Sequence, residues 1–346
     1  MICKVLWLKN NMPEIFDCAE KFFTTSDYVY YKLTGKTVID YTSAAMTGLY
    51  DITTCDWNDT LLTAVGLDRS KLPTLTKCGT IIGEILPEEC KKLGLNNNTL
   101  LVCGAHDQYC ASIGTGTVGK DDILISTGTT WVVFGKGEKL KFTDSYIAPC
   151  SHPDGGYGLI SSAVSSGTVM EWLKKHLDLP YKEIDAGVEN SSPDKNLLFY
   201  PFVSGCGEYR QDKNVTAGIV GFDFGHNKFD IVRSAMEGVA FEIKLILSEF
   251  FKAEINPSKI IVAGGATASA PWMKILSAVL GKDLLLTEEK DLCPLGALKI
   301  AQKALDGCYD NKDLRVEKVV CDENLKDFYQ NKYFIYRQNE NKVKKI

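Results

Sequence analysis

The chain has 346 residues, 45% of them hydrophobic and 24% charged, with a formal net charge of −5. That length exceeds what one ordinary core takes, so two domains are expected in a soluble globular protein. Lysines and acids are interleaved, which leaves no basic face for nucleic-acid phosphates, and no stretch is long and apolar enough to cross a membrane.

The start, Met1 to Lys9, lacks the sustained apolar region and cleavage site of a signal peptide, so the cytosol is expected. The basic end, Lys342, Lys344 and Lys345, reads as a solvated terminus. Twelve cysteines are scattered without CxxC spacing, and there are only four histidines. A metal site or a disulfide framework is therefore not expected, and most of the cysteines read as small buried hydrophobes in a reducing compartment.

Residues 13–33 carry an amphipathic helical pattern, interrupted around Thr24–Ser26 by a plausible cap for a second helix that Gly35 stops. Asn58–Val65 is helix-like and ends at Gly66. Thr99–Gly104 (TLLVCG) reads as a buried strand, followed by Ala105-His106-Asp107-Gln108 and a small-residue helix in YCASIGTG. From Asp122 the segments DILISTGTT and WVVFG predict a hairpin around a Gly-Thr turn, and residues 155–160 a further turn and strand. Helices are predicted at 167–177 and 228–252. Lys259–Ala263 (KIIVA) is a strand that runs into Gly264-Gly265-Ala266, then a helix from about Pro271 to Leu280, a strand at 283–287 and a helix at 296–305. This alternation argues for an α/β protein with a boundary near residues 115–122. In the tail, Tyr329, Tyr333 and Tyr336 fall on one helical face, which should pack onto the body.

Three places could carry chemistry. In Ser126-Thr127-Gly128-Thr129-Thr130, a glycine between hydroxyl residues lets an anion approach the backbone, although the same turn is ordinary in hairpins. At Gly264-Gly265-Ala266 a strand ends in two glycines before a helix, which suits a nucleotide as well as it suits a plain tight turn. No GK[ST] follows, so this is not a Walker loop. Asp107, at the end of a buried strand, could take a proton from a substrate hydroxyl or could simply cap the next helix.

In order along the chain, these segments resemble the FGGY carbohydrate kinases of the actin-like ATPase superfamily. LWLKNNMPEIF…DY…LTG…DYTSA resembles the family's N-terminal stretch, and GAHDQYCASIGTG the segment carrying its catalytic Asp. STGTT resembles its second phosphate segment, SSGTVMEWLKK a helix near the nucleotide, and RSAMEGVAFEIK its RA-x-x-EG-x-AF helix. AGGATASAPWMKILSAVLGKDL resembles its adenosine segment, and CPLGALKIA its A-x-G-A-A helix. The match is collinear over essentially the whole chain.

The resemblance implies an actin-like, ribonuclease H-like two-domain ATPase fold: an incomplete first domain over 1–118, a nucleotide-binding domain over 119–315 and a helical tail over 316–346. It implies ATP-dependent phosphorylation of a hydroxyl on a sugar or polyol, with Mg²⁺ bridging phosphate oxygens. Asp107 becomes the general base and, with Gln108, a sugar contact. Gly128, Thr129 and Thr130 would meet the transferring phosphate, Gly264, Gly265 and Ala266 would line the adenosine pocket, and Gly167 and Met170 would border the ADP cleft.

The family opens with a D-x-G-T-[ST] loop that has no counterpart here. Asp223-Phe224-Gly225 begins like it but lies in a different family segment. The expectation is a chain that starts inside its first domain and is nearly inactive alone. The alternative to a sugar kinase is then a non-catalytic nucleotide-binding module or one piece of a two-part kinase, and the partner expected is a second copy in a homodimer or a complementing N-terminal segment. SGCGEYRQDKN, residues 204–214, stands where the family often has G-E-R-x-P, so Arg210 and Asp212 replace the usual residues there. Gln108 stands where xylulose kinases commonly have Asn, which leaves the sugar open.

Overall fold

A computed structural model describes the chain apart from residues 118, 120, 143–146, 194–195, 208–213, 290, 309–313 and 344–346. Arg210, Asp212, Lys344 and Lys345 lie outside the described residues.

The chain is helical at once, with α1 (Ile2–Asn11) and α2 (Pro13–Cys18) ahead of α3 (Thr25–Thr34). The Asp27 carboxylate accepts the Thr24 backbone N–H at 2.7 Å and hydroxyl at 2.6 Å, and Gly35, at φ +72°, closes α3 in the left-handed region. Then follow β1 (Val38–Asp40), α4 (Tyr41–Ala45), β2 (Tyr50–Asp51), β3 (Asp56–Trp57) and α5 (Asp59–Val65). Next come β4 (Thr74–Thr76), β5 (Ile81–Glu84), α6 (Pro87–Leu93), β6 (Leu100–Val102) and α7 (Asp107–Thr115). Strand β1 pairs parallel with β4, while β2 with β3 and β5 with β6 are antiparallel. Among the described residues these strands form three two-stranded sheets and no wider one.

The predicted hairpin follows as β7 (Asp122–Thr127) and β8 (Trp131–Gly137), then β9 (Ala148–Ser151) and β10 (Tyr157–Ala163). Helices α8 (Ser166–His176) and α9 (Tyr181–Asn190) lead to β11 (Leu198–Tyr200), β12 (Gly218–Val220) and the long α10 (Lys228–Lys252). Strand β13 (Lys259–Gly264), α11 (Ala270–Leu280), β14 (Leu284–Thr287), α12 (Leu292–Asp306), β15 (Val316–Val319) and α13 (Glu323–Gln338) complete the series.

The large sheet runs β15-β14-β13-β7-β8-β10-β9. Strand β13 is parallel to both β7 and β14, and β8 and β15 are antiparallel to their neighbours β7 and β14. A hairpin on one side of a central strand and parallel crossovers on the other is the strand order of a ribonuclease H-like domain. The register sets Thr127 opposite both Gly264 and Trp131, so the Gly-Thr turn and the glycine pair share one end of the sheet.

The chain forms two compact units, each built from separated segments. The first comprises Met1–Gly116, Pro149–Gly158 and Asp291–Lys312; the second comprises Thr117–Ala148, Leu159–Lys290 and Asp313–Ile346. In the first, Val5, Phe16, Ile39, Leu49, Trp57 and Leu62 make a core. Helix α12 lies against α7 so closely that a Cβ on Gly296 would stand 1.8 Å from the Cys110 carbonyl oxygen. Buried Lys299 donates to the Ile113 and Gly114 carbonyls at the end of α7, where a cation is favoured.

In the second unit α10 is buried along most of its length, with acidic groups satisfied by the tail helix α13. Glu237 accepts from Tyr329 Oη at 2.9 Å and pairs with Lys332, and Glu242 accepts from Tyr336 Oη at 2.7 Å. Tyr329 and Tyr336 are buried, and Tyr333 packs against the same core.

The cysteines depart from the sequence reading. Only Cys90, Cys103, Cys110 and Cys150 are buried, because others, such as Cys3 and Cys18, fall on exposed helix faces; no two described cysteines are joined. The helix expected from about Pro271 to Leu280 is present, and a short turn separates it from the glycine pair. Residues Gly265–Ala268 form a single tight turn, and α11 begins after Ser269, whose Oγ accepts the Trp272 N–H at 3.4 Å. No described helix is long and apolar enough to cross a membrane.

Candidate active site

A pocket of about 540 Å³ opens in the second unit at the sheet end carrying the two glycine turns. Its wall takes Thr127, Gly128, Thr129 and Trp131 from the hairpin, and Gly167, Met170 and Glu171 from α8. Tyr181, Lys182 and Asp185 come from α9, Met236 from α10, and Gly265, Ala266, Ala268, Ser269 and Trp272 from the stretch after β13. Six of the residues that the resemblance assigns to the nucleotide are thus together: Gly128, Thr129, Gly167, Met170, Gly265 and Ala266. Thr130 and Gly264 are not part of this wall.

Both absences have a physical cause. The Thr130 hydroxyl donates to the Val164 carbonyl at 3.0 Å and so is spent on the fold. Gly264 sits at φ +105° with its would-be Cβ 2.4 Å from the Thr127 carbonyl oxygen, so it serves close backbone approach. Gly167 has a similar constraint, since a Cβ there would stand 2.2 Å from the Gly128 oxygen. The start of α8 therefore presses on the Gly-Thr turn, and Thr168 N–H donates to the Thr129 carbonyl at 3.1 Å.

Thr127, part of the Gly-Thr segment singled out in sequence, joins the two turns. Its hydroxyl donates to the Ala263 carbonyl at 2.8 Å and accepts the Ala266 N–H at 3.2 Å. Trp131 and Trp272 lie 4.7 Å apart between ring centroids, and the indole N–H of Trp272 donates to the Met236 carbonyl at 3.2 Å. On the α9 side, the Asp185 carboxylate accepts the Ser269 hydroxyl at 2.5 Å. An aromatic and thioether wall beside two small-residue turns can take a planar base next to an anionic group. The signal for Trp272 was the tryptophan in the GGATASAPW run; Tyr181 and Asp185, four apart on one helix face, left none strong enough.

In the first unit, Asp107 is the first residue of α7, one place past the cap position held by His106. Its side chain is 62% exposed, open to a small molecule. The His106 imidazole, 3.0 Å away, holds the carboxyl below its usual range; partial burial opposes this, and the Gln108 backbone N–H, at 2.6 Å, and side chain add to it. Asp107 is therefore ionised at neutral pH, able to accept a proton. Gln108 is half-buried beside it. Burial pushes the neighbouring Cys110 thiol up to about 12, so it stays protonated and donates to the Ala105 carbonyl at 3.3 Å. Asp223-Phe224-Gly225 forms a local turn ahead of α10, with the Gly225 N–H donating to the Asp223 carboxylate at 2.7 Å.

Among the described residues, no three His, Cys, Asp or Glu side chains converge on a cation site.

Comparison with known proteins adds the family. The model for the N-terminal domain of the FGGY family of carbohydrate kinases matches residues 1–114, and that for its C-terminal domain matches residues 123–305. The xylulose kinase of Escherichia coli (strain K12) is 27% identical over 306 residues, 87% of this chain and 63% of that protein. The xylulose kinase of Bacillus subtilis (strain 168) is 25% identical over 303 residues, 86% of this chain and 61% of that protein. The gluconokinase of Bacillus licheniformis is 24% identical, again over 61% of its own length. The chain thus spans less than two thirds of these relatives. A ligand-bound xylulose kinase structure from Lactobacillus acidophilus superposes with a TM-score of 0.93 at 25% identity, covering 99% of this chain and 72% of that one. An ADP-bound glycerol kinase from Plasmodium falciparum, at 21% identity and a TM-score of 0.85, shares the fold.

Proposed function

The chain belongs to the FGGY family of carbohydrate kinases, and from that premise we propose that it takes part in transferring the γ-phosphate of ATP to a hydroxyl of a small sugar or polyol. The observation that carries the nucleotide half is the pocket, because five segments separated in sequence supply one wall in which small and aromatic residues meet. In this reading the base of ATP lies against the Trp272 and Met170 side, and the phosphates run past Gly265 toward Gly128 and Thr129. Thr127 holds the two turns at a fixed spacing, which favours a preorganised phosphate path.

Asp107 supplies the other half, accepting the proton as the acceptor oxygen bonds to phosphorus. In a loose phosphoryl transfer the proton leaves late, so orientation counts for more than basicity, and a carboxyl held below its usual range suits the task. The described residues offer no cage for a cation, so they do not fit a resident metal. Magnesium would arrive on the nucleotide phosphates, held by them and by water, and no step here is routed through it.

Calorimetry with ADP tests the pocket. Binding by the chain should be abolished in Gly265→Trp, a position where an added Cβ meets nothing nearer than the Thr127 carbonyl oxygen at 4.0 Å. Equal affinity in both would place the nucleotide elsewhere. An ADP-release assay over a panel of pentuloses, hexoses, aldonates and polyols tests the transfer. ADP binding without acceptor-dependent release from any of them, by the chain alone and by the chain joined to the family's N-terminal phosphate segment, would overturn the kinase reading and keep the nucleotide site.

A further inference from the structure

The loop that presents Asp107 is held by four side chains, each on a different backbone group. The Gly104 N–H donates to the Tyr30 hydroxyl at 2.9 Å, and the Cys110 thiol donates to the Ala105 carbonyl at 3.3 Å. The Cys293 thiol donates to the Asp107 carbonyl at 3.4 Å. The fourth contact is the shortest: the His106 N–H donates to the Thr42 hydroxyl oxygen at 2.6 Å, one residue ahead of the carboxylate.

Thr42 is fully buried and has a single hydroxyl hydrogen, which goes to the Asp40 carboxylate, itself 1% exposed. That leaves only the lone pairs of Oγ1 for the His106 peptide, so the direction of the bond is fixed. A hydroxyl polarised by a carboxylate is also a better acceptor. Asp40 is immobilised in turn by the Ser43 N–H at 2.9 Å and the Cys78 thiol at 3.8 Å. The end of β1 delivers Asp40 and the adjoining α4 delivers Thr42, so a strand–helix junction 64 residues ahead of His106 bears on its peptide.

We propose that Thr42, oriented by Asp40, is a positioning residue that fixes the peptide ahead of Asp107 and thereby aims its carboxylate at the acceptor hydroxyl. This rests on the reading of Asp107 as the proton acceptor. The plainer role of Asp40, capping α4 through Ser43, does not require Thr42 to face His106, which separates the two accounts.

The test uses the full chain with Thr42→Val, which keeps the shape and removes the acceptor, and Thr42→Ser, which keeps the hydroxyl. In the wild type the His106 amide should exchange with solvent at least about a hundredfold more slowly than an unprotected amide. Exchange at the unprotected rate overturns the proposal whether or not any variant folds. In Thr42→Val that amide should exchange about tenfold faster, the scale of one lost hydrogen bond, while the Gly104 amide stays as it was. The kcat for phosphoryl transfer should fall about tenfold or more with the KM for ATP unchanged, and Thr42→Ser should restore both amide protection and kcat. Faster exchange with kcat intact, or no rescue by serine, sinks the idea. If the wild type binds ADP but turns over no acceptor, even when joined to the family's N-terminal phosphate segment, the kinase reading fails separately. The ¹³C resonance of the Asp107 carboxylate then judges the clamp: an unchanged resonance in Thr42→Val would overturn it.

Discussion

The carbonyl oxygen of Gly128 lies where a Cβ on Gly167 would come within 2.2 Å, so the first turn of α8 and the Gly-Thr turn are in backbone contact. A Cβ on Gly128 itself would meet nothing nearer than the Thr130 oxygen at 3.6 Å, an ordinary distance. Gly167→Ala should therefore destabilise the protein by about 1–3 kcal/mol through overpacking and weaken ADP binding as the turn is displaced. Gly128→Ala should melt close to the wild type. Thermal melts of the two variants check this; equal losses would show that the contact does not matter.

Thr127 makes a prediction of its own, because its hydroxyl serves both turns. Thr127→Val should cost about 1–2 kcal/mol for two hydrogen bonds, measured by urea unfolding, and should reduce ADP affinity although the hydroxyl need not touch the nucleotide. Thr127→Ser should recover most of both. Affinity unchanged in the valine variant would mean that the spacing of the turns is set by something else.

The pH dependence of turnover should carry the mark of His106. A carboxyl held below its usual range is ionised through neutral and mildly acidic pH, so the acid limb of kcat/KM should lie below that range. Removing the imidazole in His106→Ala lets the carboxyl rise, and the limb should move to higher pH. Any stability that ionised Asp107 contributes follows the same sign: present at neutral pH, lost only as pH falls through the depressed value. A limb that stays put in His106→Ala would show that another group sets it.

The tail helix should be held mainly by its buried ion pair. Lys332 and Glu237 are almost wholly buried, and Arg233 also approaches Glu237 and donates to Tyr329 Oη at 3.1 Å. Lys332→Ala leaves a buried carboxylate short of a partner and should cost roughly 3–5 kcal/mol. Breaking the Lys326–Glu323 pair on the outer face of the same helix should not measurably change the melt. Chemical denaturation of both variants is the check.

Much of this was legible because it depended on local pattern. The β7–β8 hairpin has β-branched runs on both sides of a glycine, and α10 has a long apolar face with a capping Asn227. Helix α9 was not legible. Its Gly187 reads as a breaker, yet a Cβ there would fall 2.1 Å from the Phe229 ring, so the glycine serves packing against α10. Helix α1 escaped notice because Met1 offers no capping side chain. The site followed the same rule. Glycines announced the turns, but Thr127, Tyr181 and Asp185 acquire meaning only from the sheet register and from neighbours far along the chain.

The placement of α12 bears on how the protein is made. Helix α7 is complete by Thr115, but α12, which packs on it through Gly296 and Lys299, begins only at Leu292. At about 5–20 residues per second, the helix bearing Asp107 waits on the order of ten seconds or more on the ribosome before its partner is synthesised. Until then Gly114 and the carbonyls at the end of α7 lack the lysine and the backbone that cover them in the finished fold. The segment that presents Asp107 should accordingly be among the last parts of the first unit to become rigid, and the nascent chain should be most open to proteolysis there.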